Sequence, residues 1–286
     1  MTTHRVFTPQ LLSPMRIIEK KIMPLIYQST KMKSFHQIDM ALETRKFLIK
    51  IARGKKERKQ SHDLRRRVFA SDFIGEDQAL SSDWDRYDRK ADFLIIIDKE
   101  KNDVVGSYRL IRSLKAKNFY TSSEFFINHF VASPGLKVEL SRACVAPEYR
   151  KGSVVLLLWK GIHHYLVQAK ADILFGCSSL SNTGALDTLE VIRFLDKEGH
   201  TCHNSWNLRA KYNFDCNQNL LTNISGLAST SPESLKLPPL FKSYLKVGAK
   251  VISVPAYDPH YRCYDFFTIL RVKDLNDVMS RKLQFN

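Results

Sequence analysis

Apolar and polar positions along this chain recur with two periods, and the changes of period mark its elements. Within Ser153–Ala169 the residues Val154, Val155, Leu158, Trp159, Ile162, Tyr165 and Leu166 return every three or four positions, which predicts an amphipathic helix. Phe93–Asp98 (FLIIID) and Val104–Ile111 (VVGSYRLI) flank the turn dipeptide Asn102-Asp103 and predict an antiparallel hairpin. Gly106 inside the second run marks a bulge or a close backbone approach. Val138–Val145 reads as a strand that ends before Pro147, Ile173–Ser178 and Phe266–Leu270 as further strands, and Leu186–Lys197 as a helix. A polar stretch runs on to about Pro232, and LPPLFKSYLKVGAKVISVPAYDPHY reads as helix, strand and loop. Alternating strands and helices around a hairpin predict an α/β (α+β) fold, a mixed central sheet flanked by helices.

Upstream the pattern is weaker. An amphipathic helix is expected between Pro14 and Pro24, able to lie on a membrane surface. Ile38, Leu42, Leu48 and Ile51 stand near helical spacing, GKKERKQSH reads as a charged linker or turn, and Ser61 or His62 opens a capped helix through Phe69. The expected division is a basic, partly helical extension over 1–60 and a catalytic domain over 61–286.

Charge sharpens that division. Of the net +16, residues 1–67 carry 17 Lys and Arg against 5 Asp and Glu, a local +12. Nucleic acid, anionic lipid and an acidic carrier protein all suit such a surface. The aromatic residues do not interleave with basic strands as in RNA-recognition modules, so no nucleic-acid partner is expected. No apolar run approaches the roughly 18 residues of a membrane span, and the N-terminal residues lack a signal-peptide core, so a cytoplasmic location is expected. The five cysteines contain no CxxC pair, and Cys202-His203 has no second ligand pair at zinc-like spacing. Reduced thiols and no metal are expected.

Several ionisable residues sit in or beside apolar strands, where charge is costly unless paired or put to use. Glu139 and Arg142 stand three apart, so they point to opposite faces unless a bulge intervenes or the strand kinks at Ser141. Arg109 follows Gly106, Asp85 and Asp88 lie in a polar loop, and Arg65 and Phe69 are one helical turn apart. Arg150-Lys151-Gly152 leads into the helix start at Ser153, where free backbone N–H groups and a positive dipole end suit an anion.

In order, Arg65-x-x-x-Phe69, Asp85-x-x-Asp88, Gly106-x-x-Arg109-Leu110 and Glu139-x-x-Arg142 resemble the pattern of acyl-homoserine-lactone autoinducer synthases, members of the GNAT acyltransferase superfamily. The likeness is closer to the ornithine-lipid, hemolysin-like N-acyltransferases. It is carried by Gly106-Ser-Tyr-Arg-Leu110, Glu139-Leu-Ser-Arg-Ala-Cys-Val-Ala-Pro-Glu-Tyr-Arg-Lys-Gly152, Leu158-Trp-Lys-Gly-Ile162 and Leu174-Phe-Gly-Cys-Ser-Ser-Leu180, and covers about residues 60–272. One departure stands out: GNAT enzymes typically carry Arg-x-x-Gly-x-Gly/Ala at the pyrophosphate turn, whereas Arg150-Lys-Gly-Ser-Val-Val155 has one early glycine.

The resemblance implies a GNAT-like sheet and transfer of a (3-hydroxy)acyl group from the 4′-phosphopantetheine thioester of acyl carrier protein to an amino acid such as ornithine. No other cofactor is implied. Acyl-CoA is the alternative donor, and an autoinducer-synthase-like reaction the alternative chemistry. Glu139 is then the expected base, directly or through a water. Arg109 and Arg142 hold the acceptor carboxylate, while Asp85 and Asp88 bind its ammonium group or orient the arginines. Arg65 and Phe69 fall with the donor site. Backbone amides near Cys144–Val145 face the oxyanion, and Arg150, Gly152 and Ser153 take the pantetheine phosphate. Cys144 and Cys177 lack a His partner and read as small core residues. The basic N-terminal region would serve the acidic carrier or an anionic membrane surface that receives the product.

Overall fold

The hairpin around Asn102-Asp103 forms as the alternation predicts: β4 (Asp92–Asp98) and β5 (Asp103–Arg112) pair antiparallel, with Asp98 opposite Asp103. The computed structural model describes residues 16–17, 38–74, 84–181, 185–212, 237–259 and 261–275. Both strands are almost wholly buried because helices cover both faces. On one side α1 (Gly54–Phe69) bonds Ser107 through Ser61, with 2.6 Å between the hydroxyls. On the other, α3 (Val154–Ala169) crosses so closely at Gly106 that an added Cβ would stand 3.0 Å from Val154 Cγ1. Adjacent strand residues point to opposite faces, so α1 and α3 sandwich the sheet. A second close crossing is at Gly161 of α3, where a Cβ would meet Leu94 at 2.8 Å and Ile49 at 2.9 Å.

The remaining strands are β1 (Arg16–Ile17), β2 (Ala41–Glu43), β3 (Phe47–Ile51), β7 (Lys137–Val145), β8 (Ile173–Ser181), β10 (Lys250–Val251), β11 (Ala256–Asp258) and β12 (Cys263–Arg271). Together they make a ten-stranded mixed sheet in the order β1-β2-β3-β4-β5-β7-β8-β12-β10, with β11 on β12. A separate pair, β6 (Phe125–Phe126) and β9 (Arg209–Ala210), and the short helix α2 (Asn128–Ala132) lie in the connections. Helices α4 (Ala185–Lys197) and α5 (Pro239–Lys246) accompany a second apolar cluster that includes Val191, Leu195, Phe241 and Phe266. The strand-and-helix alternation expected downstream of Phe93 is therefore present, though most of the polar stretch before Pro232 lies outside the described residues.

The N-terminal expectations change. Residues 41–51 form the β2–β3 hairpin rather than a helix, because β3 finds a partner in β4 and its alternate residues bury against the sheet. The sequence expected as a linker, GKKERKQSH, is the first half of α1, which starts at Gly54, so Ser61 is a mid-helix residue and not a cap. Strands β2 and β3 thus extend the central sheet, and α1 runs unbroken across position 60. Arg16–Ile17 pair with β2 as a strand, and the rest of the helix expected between Pro14 and Pro24 lies outside the described residues. No helix among the described residues is long and apolar enough to cross a membrane.

Candidate active site

The parallel junction of β7 and β8 shapes the site. These strands pair only from Lys137–Glu139 to Ile173–Phe175, after which β7 follows β5 and β8 follows β12. At the parting point Gly176 has the Leu140 carbonyl where a side chain would stand, which leaves no room for a Cβ. A cleft with ≈ 300 Å³ of empty space, partly open to solvent, begins there on the α3 face. Leu140, Trp159, Leu174, Tyr244 and Leu270 line it, so it is chiefly apolar. Beyond Glu139 the β8-facing edge of β7 has no strand partner among the described residues, which leaves backbone groups near Cys144 and Val145 facing the gap.

On the α1 face, the expected charged residues converge. Arg65 sets its two terminal nitrogens 2.9 Å from the two oxygens of Asp88. Arg109 Nη1 contacts both oxygens of Asp85 at 2.7 Å and Asp88 at 3.0 Å, while its Nε donates to Ser141 at 3.0 Å. Arg142 reaches Asp85 at 3.4 Å and donates to the Tyr261 hydroxyl at 2.6 Å. Phe69 packs edge-on against Tyr261, and the Arg142 guanidinium lies 4.5 Å from the Tyr120 ring centroid. The Asp85 side chain also accepts the backbone N–H groups of Tyr87 and Asp88, which shapes the turn that presents both carboxylates.

A β-bulge brings Arg142 to this face. Ser107 stands opposite Cys144 but Arg109 opposite Ser141, so Arg142 and Ala143 together face Tyr108. Arg142 takes the left-handed φ of 54°, which re-aims its side chain beside Arg109. The spacing of Glu139 and Arg142 raised that alternative, although the irregularity falls at Arg142 and not at Ser141.

Glu139 does not fit the expected base. It is 0% exposed, and both oxygens are engaged: one accepts the Thr121 N–H and hydroxyl, each at 2.7 Å, and the other the Tyr120 N–H at 3.1 Å. Burial raises its pKa, against the hydrogen bonds from Thr121 and the charge of Arg109. Its place is to anchor the turn over residues 120–123. Arg109 departs from expectation too. It is 0% exposed, its Nε and Nη1 are engaged by Ser141, Asp85 and Asp88, and Nη2 alone lacks a hydrogen-bond partner among the described residues, so it has no free fork for an acceptor carboxylate. Asp85 and Asp88 both bond these arginines, the second of the two roles expected of them. Arg65 and Phe69 likewise belong to this network rather than to the donor end.

The other residues expected to hold the donor lie at the opposite end of β7. Arg150 is 41% exposed at its side chain and reaches Asp72 at 2.8 Å and the Val145 carbonyl at 3.1 Å. The Gly152 N–H closes a turn onto Tyr149, and Ser153 opens α3 with no side-chain cap hydrogen bond among the described residues. Cys144 is buried. Burial, then the charges of Glu124 and Asp265, push the Cys177 thiol well above its usual range, which suits a core residue and not a nucleophile.

The spacing of charged residues did not reveal a second group. Glu124, Asp258 and Asp265 are buried on the α1 face, where β8 and β12 meet the 120–126 segment, with Tyr120 hydrogen-bonded to Asp258 at 3.5 Å. The available signal was local: Asp265 interrupts the apolar run of β12, and Glu124 stands among Phe119, Phe125 and Phe126.

An acetyltransferase (GNAT) domain family matches residues 64–160. An L-ornithine N(alpha)-acyltransferase of Agrobacterium fabrum is 31% identical over 250 residues, covering 82% of this chain and 82% of that protein. A Brucella abortus protein of the same name is 28% identical over 244 residues, covering 80% of this chain and 85% of its own length. Among solved structures, FeeM, an N-acyl amino acid synthase from uncultured soil microbes, superposes with a TM-score of 0.46 at 10% identity, covering 81% of this chain and 93% of that one.

Proposed function

The chain belongs to the L-ornithine N(alpha)-acyltransferase family of GNAT acyltransferases, and we propose that it moves a 3-hydroxyacyl group from acyl carrier protein to the α-amine of ornithine, giving a lyso-ornithine-type aminolipid. One observation carries this reading: β7 and β8 part after Glu139 and Phe175, beside an apolar cleft on one face and charged groups on the other. A thioester seated in the gap would lay its chain against Leu140, Trp159 and Tyr244 and expose its carbonyl to an amine.

The amine attacks the carbonyl carbon, a C–N bond forms, and the C–S bond breaks. Of the two protons lost by an ammonium acceptor, one ends on the departing thiol and one in solvent. The negative charge that develops on the carbonyl oxygen suits the open backbone edge of β7 near Cys144 and Val145. Arg142, held by Asp85 and stacked on Tyr120, is the guanidinium placed for the acceptor carboxylate. Glu139 positions that assembly by fixing the turn that bears Tyr120.

Arg150 and the start of α3 suit the pantetheine phosphate. The single glycine of that turn favours a carrier-protein donor over coenzyme A, and the basic N-terminal region supports an acidic carrier or an anionic membrane surface. The deciding assay incubates purified protein with 3-hydroxyacyl carrier protein, or the matching acyl-CoA, and a panel of amino acids, with products weighed by mass spectrometry. A hydroxyacyl-ornithine mass from the carrier-protein arm is expected. No amide with any amino acid, or a lactone formed from S-adenosylmethionine, would overturn the reading.

A further inference from the structure

We propose that Glu124, Asp258 and Asp265 form a subsite that receives the side-chain ammonium of a diamino acid, so that this pocket, and not the arginine network, selects the acceptor. The proposal rests on the amino-acid N-acyltransferase reading above.

Three elements bring these acids together. Glu124 closes the turn that Glu139 anchors, Asp265 lies on β12 opposite Ser179 of β8, and Asp258 ends β11 opposite Cys263. Ligand atoms of Glu124, Cys177 and Asp265 lie within 4.8 Å of one another, as do those of Asp258, Cys263 and Asp265. Cys177 is the second residue of β8 past its last pairing with β7, and it also borders the apolar cleft. The acidic cluster therefore adjoins, through Cys177, the cleft in which a thioester would lie.

Glu124 is the residue whose surroundings suit a cationic ligand. It is 4% exposed, and neither oxygen of its carboxylate accepts from an N–H or a hydroxyl among the described residues; its neighbours are the Asp265 carboxyl and the Cys177 thiol. Neither Glu124 nor Asp265 forms an ion pair with a described Lys, Arg or His. A carboxylate buried without a counter-ion costs several kcal/mol, and the fold keeps Glu124 and Asp265 side by side, with Asp258, which accepts the Tyr261 N–H and the Tyr120 hydroxyl, next to them. Burial, then the neighbouring Asp265 and Asp258, raise the Glu124 pKa, so without a counter-ion the cluster holds a proton in place of charge, and an arriving ammonium would release it. A primary ammonium carries three N–H donors and a full positive charge, so it matches a trio of carboxylates. Tyr120 links the two ends of such a ligand: its ring carries Arg142, and its hydroxyl reaches Asp258. An α-carboxylate at Arg142 and a side-chain ammonium among the acids would leave the α-amine between them.

The test compares ornithine with norvaline, which has the same carbon chain without the side-chain amine. Calorimetry on the full chain measures both for the wild type, Glu124→Gln and Asp265→Asn, with melting curves as a check on folding and metal analysis of each preparation. Wild type is expected to favour ornithine, and each variant to weaken ornithine by about thirtyfold or more while leaving norvaline within about twofold. In turnover the same loss should appear in KM, with kcat much less affected. Unchanged ornithine affinity in the folded variants would overturn the subsite, as would a stoichiometric metal lost on Glu124→Gln. Equal acylation of norvaline and ornithine by wild type would also sink it, yet leave the acyltransferase reading intact. No acylation of any amino acid would defeat that reading instead, while the binding contrast still judges the subsite.

Discussion

Arg65 and Asp88 meet through two parallel contacts of 2.9 Å, with both side chains withdrawn from solvent. Asp88 also takes a contact from Arg109, so one carboxylate serves two buried guanidinium groups. Asp88→Asn removes the charge that both require and is expected to destabilise the fold by about 3–5 kcal/mol. Chemical denaturation measures this; a loss below about 1 kcal/mol would mean that the pair is not what holds α1 to the 84–90 turn.

The same carboxylate sets an acid limit. Burial pushes Asp88 up, but hydrogen bonding and charge from Arg65, then charge from Arg109, outweigh it and hold the group at about 2, below the usual 3.8. Because the folded value lies below the unfolded one, this contribution is fully present above about pH 4 and is lost as pH falls toward 2. It amounts to about 2 kcal/mol. Denaturation midpoints from pH 6 to pH 2 should show the fall, and Asp88→Asn should flatten it.

Glu139→Gln separates a positioning role from a base. Glutamine keeps one acceptor oxygen and turns donors toward donors at the Tyr120–Thr121 amides. A loss of about 1–3 kcal/mol in stability is expected, with a lower kcat whose pH profile keeps its wild-type shape. Disappearance of an ionisation from that profile, with stability intact, would restore Glu139 as the base.

Gly176→Ala puts a methyl group into the Leu140 carbonyl, which is backbone and cannot swing aside. The expected cost exceeds the about 1–3 kcal/mol of ordinary overpacking, with acyl transfer lost alongside the 137–139 pairing. An alanine variant with wild-type melting and turnover would show that the strands can part without that contact.

Arg150→Ala tests the donor end. Its half-exposed contact with Asp72 contributes little, so stability should stay within about 0.5 kcal/mol. KM for the acyl thioester should rise about tenfold, the size of one lost charged hydrogen bond, while KM for the amino acid holds. Steady-state kinetics with each substrate varied in turn distinguish the two.

Strong periodicity was legible from sequence: the β4–β5 hairpin, α3 and β8 lie where their apolar patterns put them. The 36–53 segment misled because Ile38, Leu42, Leu48 and Ile51 also satisfy a loose helical spacing, and only the pairing of β3 with β4 decides between helix and hairpin. The arginines and aspartates were visible as charges in apolar strands. Their mutual satisfaction was not, since it depends on a bulge that turns Arg142 onto the face of Arg109. Glu124 and Asp265 escaped because they are far apart in sequence and each alone resembles an ordinary strand or turn residue.

The parting of β7 and β8 also bears on how a catalytic cycle ends. If the acyl chain occupies the α3 face and the amino acid the α1 face, the amide joining them lies threaded through the sheet. Such a product cannot leave sideways through either wall; it must be drawn out lengthwise along the strand gap. Exit would then be slower than bond formation, and rapid-mixing experiments would record a burst of amide equal to the enzyme present before the slower steady rate.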